Sequence, residues 1–73
     1  MMRLPRVSGR ECVRALEQGG FIVIRQRSSH MILRRDNPYS RVTVPDHREL
    51  DTGTLRAIIR QAGLTVQEFN SLL

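Results

Sequence analysis

The sequence predicts an α+β fold in two layers, a three-stranded antiparallel sheet with helices packed on one of its faces. Three observations carry this. A capping-box pair with an apolar stripe marks a helix near the start, and three β-rich runs separated by turn formers fill the middle. A second stripe, with apolar residues at i, i+3, i+4 and i+7, marks a helix near the end. At 73 residues the chain makes one domain, read as 1–73 with residues 1–7 as a flexible lead-in, near the lower size limit for a single core.

Ser8 and Glu11 have the S-x-x-E spacing in which each side chain satisfies an orphan amide, so a helix starts at Gly9. Cys12, Val13 and Leu16 form its apolar stripe, and the Gly19-Gly20 pair ends it through a left-handed cap. Residues 21–27 follow, rich in aromatic and β-branched side chains, and read as a strand. Ser28 and Ser29 make a turn, residues 30–35 a second strand, and residues 36–40 a loop around Pro38. The third strand is 41–44, stopped by Pro45, with a polar connection over 46–50.

Leu55, Ile58, Ile59 and Ala62 then define the second helix, with Asp51 or Thr52 as its cap and Gly63 just past its end. Thr65 and Glu68 repeat the capping-box spacing before a short terminal helix carrying Val66, Phe69 and Leu73. The order is αβββα with an extra short helix. Three strands on short turns pair antiparallel, and two amphipathic helices cover one face and leave the other open. That arrangement is similar to double-stranded-RNA-binding domains, although a fold alone does not settle function.

Twelve basic residues, all of them arginine, stand against seven acidic ones, giving a net charge of +5. Guanidinium stays charged, forks onto phosphate oxygens and stacks on bases, so the balance favours a polyanionic partner such as nucleic acid. A GC-rich genome would explain the absence of Lys but not the net excess. A single cysteine, Cys12, cannot form an internal disulfide and is read as core. No apolar run of signal-peptide length opens the chain, so the expected compartment is the cytoplasm.

Strand alternation puts Met31 and Leu33 on the core side and His30, Ile32 and Arg34 on the open side. His30 then lies beside the serine turn and near Arg25 or Arg27 of the paired strand. Cleavage of RNA by its own 2′-hydroxyl needs a base, an acid and positive charge at the crowded phosphate. Imidazole, which titrates near about 6.5 as a class, suits the proton steps, and arginines suit the charge. The plain alternative for His30 is a surface histidine with no task.

His47, in the polar connection, is either a loop histidine or a second imidazole completing an acid–base pair. Ser28 and Ser29 are turn formers, Ser29 with the option of a hydroxyl or amide offered to phosphate. Arg56 and Arg60 form a basic strip on the second helix, or an ordinary solvated face, and the amides at Gly53 and Thr54 could hold a phosphate. Two histidines, one cysteine and scattered carboxylates give no ligand spacing for a metal, so neither a metal nor another cofactor is expected. With Phe21, Tyr39 and Phe69 as its aromatics, the chain has little for a base-stacking platform.

Taken together the motifs resemble the HicA toxin family, also called YcfA-like, from Ser8 to about Leu64. The likeness rests on Ser8-Gly9 with Glu11, Gly20-Phe21, Arg25 to His30, Val42-Thr43-Val44-Pro45 with His47, Gly53-Thr54-Leu55-Arg56, and Ile59 through Ala62-Gly63-Leu64. The resemblance implies an endoribonuclease acting on messenger RNA, held inactive by a HicB-like antitoxin. It also implies a catalytic role for His30, since the family's histidine follows a Gly-Ser pair. Ser28 departs from that pattern, and a positive φ there would strain it. Met31 also departs, standing where many members carry a second histidine. Two other readings compete: a non-catalytic RNA-binding module, and a protein whose basic face meets an acidic protein partner.

Overall fold

A computed structural model describes residues 3–73. The elements are α1 (Gly9–Gln18), β1 (Ile22–Arg27), β2 (His30–Asp36), β3 (Tyr39–Pro45), α2 (Thr52–Gln61) and α3 (Val66–Ser71). The strands form one antiparallel meander in the order β1-β2-β3. This is the α+β arrangement that the sequence predicts.

The helix ends are built as their residues dictate. At α1 the Glu11 amide donates to Ser8 Oγ at 3.0 Å while the Ser8 amide donates to Glu11 Oε1 at 2.9 Å. Gly20 takes a φ of 97°, so Phe21 N–H reaches back to Leu16 C=O at 3.0 Å and Gly20 N–H to Glu17 C=O at 3.1 Å. Those are the two bonds of a Schellman cap, and the buried pair Phe21 and Leu16 supplies its apolar contact. Gly63, with φ 75°, ends α2 the same way through Leu64 N–H to Ile59 C=O. Of the two residues expected to cap α2, Asp51 does so, accepting the Thr54 amide at 2.8 Å. Thr65 and Glu68 form the second capping box at α3.

The core unites Cys12 and Leu16 of α1, Met31 and Leu33 of β2, Val42 and Val44 of β3, Leu55, Ile58 and Ile59 of α2, and Phe69 of α3. All three helices therefore lie on one side of the sheet. Arg35 also points to that side, with its guanidinium 4.6 Å above the Phe21 ring and its Nε donating to Pro38 C=O. Within residues 3–7, part of the expected lead-in, Leu4 and Val7 meet the rest of the domain while Arg3 and Arg6 are exposed. Val7 is 5% exposed, its carbonyl accepts from Leu50 N–H at 2.8 Å, and Leu4 rests on the core. Residues 1 and 2 of that expected lead-in lie outside the described residues.

Three local expectations change. The loop read over 36–40 shrinks to a turn at Asn37-Pro38, which is a cis peptide, because Asp36 pairs with Tyr39 and Arg35 with Ser40. The proline occupies the turn itself, where its missing N–H removes no ladder bond. The third strand also runs through Pro45, which pairs with His30 on an edge where a proline is tolerated. Finally, β1 carries a bulge: Val23 pairs with Leu33 and Arg25 with Ile32, leaving Ile24 as the extra residue.

The bulge resolves a conflict of parity. Phe21, Val23, Arg25 and Arg27 would all share one face of an unbroken strand. With Ile24 extruded, Val23 shares the face of Leu33 beside the buried Phe21, while Arg25 and Arg27 move to the open face.

Candidate functional site

The open face is a sequence of rungs about 7 Å apart, set by two residues of strand rise. The first holds Arg27, His30 and Pro45, and the second Arg25, Ile32 and Thr43. The third holds Ile22, Arg34 and Arg41, and the last Asp36 and Tyr39. Directly opposed side chains have Cβ atoms about 4.5–5.5 Å apart. His30 thus stands beside Arg27 with Arg25 one rung further on, and its side chain is exposed.

The turn that presents His30 is tightly tied. Ser28 has a φ of 47°, in the left-handed region that glycine favours. Ser29 offers its carbonyl to the Asp46 amide at 2.7 Å, joining the β1–β2 turn to the segment after β3. Asp46 is gripped in turn by Arg10 of α1, with Nε and Nη2 each 3.2 Å from a carboxylate oxygen. Gly9 allows this junction, since a Cβ there would lie 2.0 Å from the Pro45 carbonyl oxygen.

His47 follows closely, and its carbonyl accepts the Gly9 amide at 2.9 Å, which fixes its backbone to the start of α1. Its side chain is exposed. The hydrogen bonds from Thr54 hold the Asp51 carboxyl below its usual range, and the charge of His47 adds to that. Met31 points away from His30 into the core, 5% exposed, so a side chain at that position serves packing.

Arg34 is partly neutralised. Its Nε lies 2.8 Å from Asp36 Oδ1, yet this buried nitrogen lacks a hydrogen bond of acceptable angle, so the contact is Coulombic only. Arg41, directly across from Arg34, has no carboxylate within ion-pair distance among the described residues. Sequence reasoning missed Arg41. Its signal was the register of β3 on β2, which became readable only once the turn was known to lie at Asn37-Pro38.

Arg56 and Arg60 are not brought to this face. They are exposed on α2, whose buried stripe of Leu55, Ile58 and Ile59 faces the sheet from the other side. The amides at the start of α2 already face the Asp51 carboxylate, which opposes a phosphate there. On the helix side a groove of about 500 Å³ runs between α1 and β1, lined by Arg10, Val13, Arg14, Val23, Gln26 and Met31. It does not include His30. Among the described residues no three His, Cys, Asp or Glu side chains form a set able to hold a metal ion, and no helix is long and apolar enough to cross a membrane.

Fold and face together define a small α+β domain whose uncovered sheet surface carries one imidazole among guanidinium groups. A family model described as HicA toxin of bacterial toxin-antitoxin matches residues 9–64 of the 73, and the chain belongs to that family. It is therefore a toxin of a toxin–antitoxin system, and membership implies an antitoxin partner. None of the curated proteins compared with the chain matches it.

Proposed function

We propose that the toxin is a metal-independent endoribonuclease that cleaves messenger RNA on the open sheet face, with His30 as its catalytic residue. The observation that carries this is the first rung, where an exposed imidazole stands directly opposite Arg27, with Arg25 turned to the same face by the bulge. In this reading His30 takes the proton of the 2′-hydroxyl, the O2′–P bond forms, and the P–O5′ bond breaks. The products are a 2′,3′-cyclic phosphate and a 5′-hydroxyl. Arg25 and Arg27 offset the charge that builds on phosphorus, and Ser29 lies at the turn to contact the backbone. The leaving oxygen receives its proton from His47, two residues beyond the strand partner of His30. A HicB-like antitoxin inhibits by covering His30 and its neighbouring arginines.

The test is cleavage of a structured RNA in EDTA by His30→Ala. Loss of cutting with an unchanged circular-dichroism spectrum is expected, and undiminished cutting would remove His30 from the mechanism. A second reading, a non-catalytic RNA-binding module, draws on the face holding one imidazole and one carboxylate, the latter already beside Arg34. That reading predicts salt-sensitive RNA binding without products, which one gel distinguishes.

A further inference from the structure

Two rungs from His30, the same face holds a second group of side chains that the proposed chemistry does not use. Arg34 and Arg41 are directly opposed across β2 and β3, and like charges in that relation destabilise a sheet. Asp36 answers only Arg34. Beside Arg41 on the same face, about 7 Å along β3, stands Tyr39, 65% exposed. This is the most exposed large hydrophobic side chain among the described residues, and it has no packing role in the core. A planar ring next to two guanidinium groups, one of them without a counter-charge, matches the two halves of a nucleotide.

We infer that Tyr39, Arg41 and Arg34 form a subsite for a nucleotide flanking the cut in single-stranded RNA, with the base on the Tyr39 ring and its phosphate between the arginines. The inference rests on the proposed RNA-cleaving function and adds where the strand is held. Four residues of β2, about 13 Å, separate His30 from Arg34. The subsite therefore anchors substrate outside the reacting phosphate and tells single strands from duplex, whose bases offer no free face to a ring.

The experiment uses a labelled 2′-O-methyl RNA of about twelve nucleotides, which binds without being cut, and follows anisotropy against salt. Arg41→Gln is expected to weaken binding about tenfold, the scale of one charge-assisted contact. Its plot of log K against log salt should be shallower by about 0.7, the value for one phosphate on a single strand. Arg41→Lys should recover most of the slope. Tyr39→Ala should weaken binding about fivefold or more while Tyr39→Phe retains it, as stacking requires. In cleavage of unmodified RNA both losses should appear in KM rather than kcat.

Arg14→Gln, on the helix side, removes the same charge and serves as the comparison. If it weakens binding as much as Arg41→Gln, or if Tyr39→Ala binds like the parent, the subsite is wrong while RNA cleavage by the parent in EDTA keeps the proposed function standing. If Arg41→Gln binds RNA normally but loosens the antitoxin complex, the arginines belong to the protein interface and the subsite is likewise wrong. A parent that neither binds nor cuts would overturn the function and the subsite together.

Discussion

Replacing Gly9 with Ala tests how the helix layer is seated on the end of the sheet that carries His30 and Pro45. A Cβ on Gly9 would stand 2.0 Å from the Pro45 carbonyl oxygen, 3.0 Å from its carbon and 3.2 Å from Asp46 Cα. Carbon–oxygen contacts settle at about 3.3 Å or more, so the two backbones must part by about 1.3 Å. Overpacking of that kind costs about 1–3 kcal/mol, and stretching the Gly9 N–H bond to His47 C=O adds about 1 kcal/mol. The better helix propensity of alanine returns at most about 1 kcal/mol. The net loss is about 2 kcal/mol, and for a domain of this size that lowers Tm by about 8–16 °C.

Gly53→Ala makes the same chemical change in open space, where the nearest atom to the new Cβ is Asp51 Oδ1 at 3.9 Å. It should stabilise by about 0.5 kcal/mol and raise Tm by about 2–4 °C. Thermal melts followed by circular dichroism in one buffer compare the two. A shift of the same sign for both, or a Gly9→Ala Tm within about 2 °C of the parent, would refute the claim that close approach at Pro45 holds α1 in place. Under the proposed function, because Pro45 is the strand partner of His30, the Gly9→Ala protein should also cut RNA more slowly at a temperature where it remains folded.

Three further predictions follow from single observations. Ser28→Gly relieves the left-handed φ of 47°; set against the greater chain entropy of glycine, it should stabilise by about 0.5–1 kcal/mol and raise Tm by about 4 °C, and an unchanged or lower Tm would contradict the strain. Asp51 titrates below its ordinary 3.8 in the folded chain, first because the Thr54 backbone amide bonds its carboxylate, so its contribution is present above 3.8 and is lost as pH falls through the lower folded value. Asn caps as well but does not titrate, so Asp51→Asn should match the parent's urea midpoint at pH 7 and lose less stability below pH about 4; parallel acid limbs would remove Asp51 from the linkage. Burial pushes the Cys12 thiol up to about 12, so a thiol reagent at pH about 8 should label it only at the rate of chain opening, and rapid labelling of the folded protein would show that the core at α1 is open.

How much of this was legible in the sequence depends on the range of the interaction involved. The caps at Ser8 and Thr65, the stripe of α2 and the glycine ends of α1 and α2 are set by residues a few positions apart, and they appear where the spacing puts them. The exposed side of β2 was also readable, because alternation starting from Met31 and Leu33 needs no partner strand. The bulge at Ile24 was not: it arises from a disagreement between the β1 residues that α1 requires and those that the turn to His30 requires. The mutual placement of Arg34 and Arg41 depends on the β2–β3 register, which one residue of error in the turn would scramble. Arg56 and Arg60 mark another limit of range, since helical spacing joined them to each other but said nothing of the layer between them and His30.

The naked sheet face follows from size. A chain of 73 residues builds one core, and α1, α2 and α3 are all spent on the same side of three strands. The other side is left to solvent, and a β surface with the exposed aliphatic side chain of Ile22 on its edge strand invites pairing with other chains. Arg25, Arg27, Arg34 and Arg41 oppose that by charge, and the bulge bends the edge away from a regular template. If the proposed function holds, the arginines that oppose such pairing are also those that attract phosphate, and protection and substrate binding come from one set of side chains. Under the proposed function, inhibition requires no change of shape in the toxin: an antitoxin that neutralises and covers the face removes both the substrate's attraction and its access to His30.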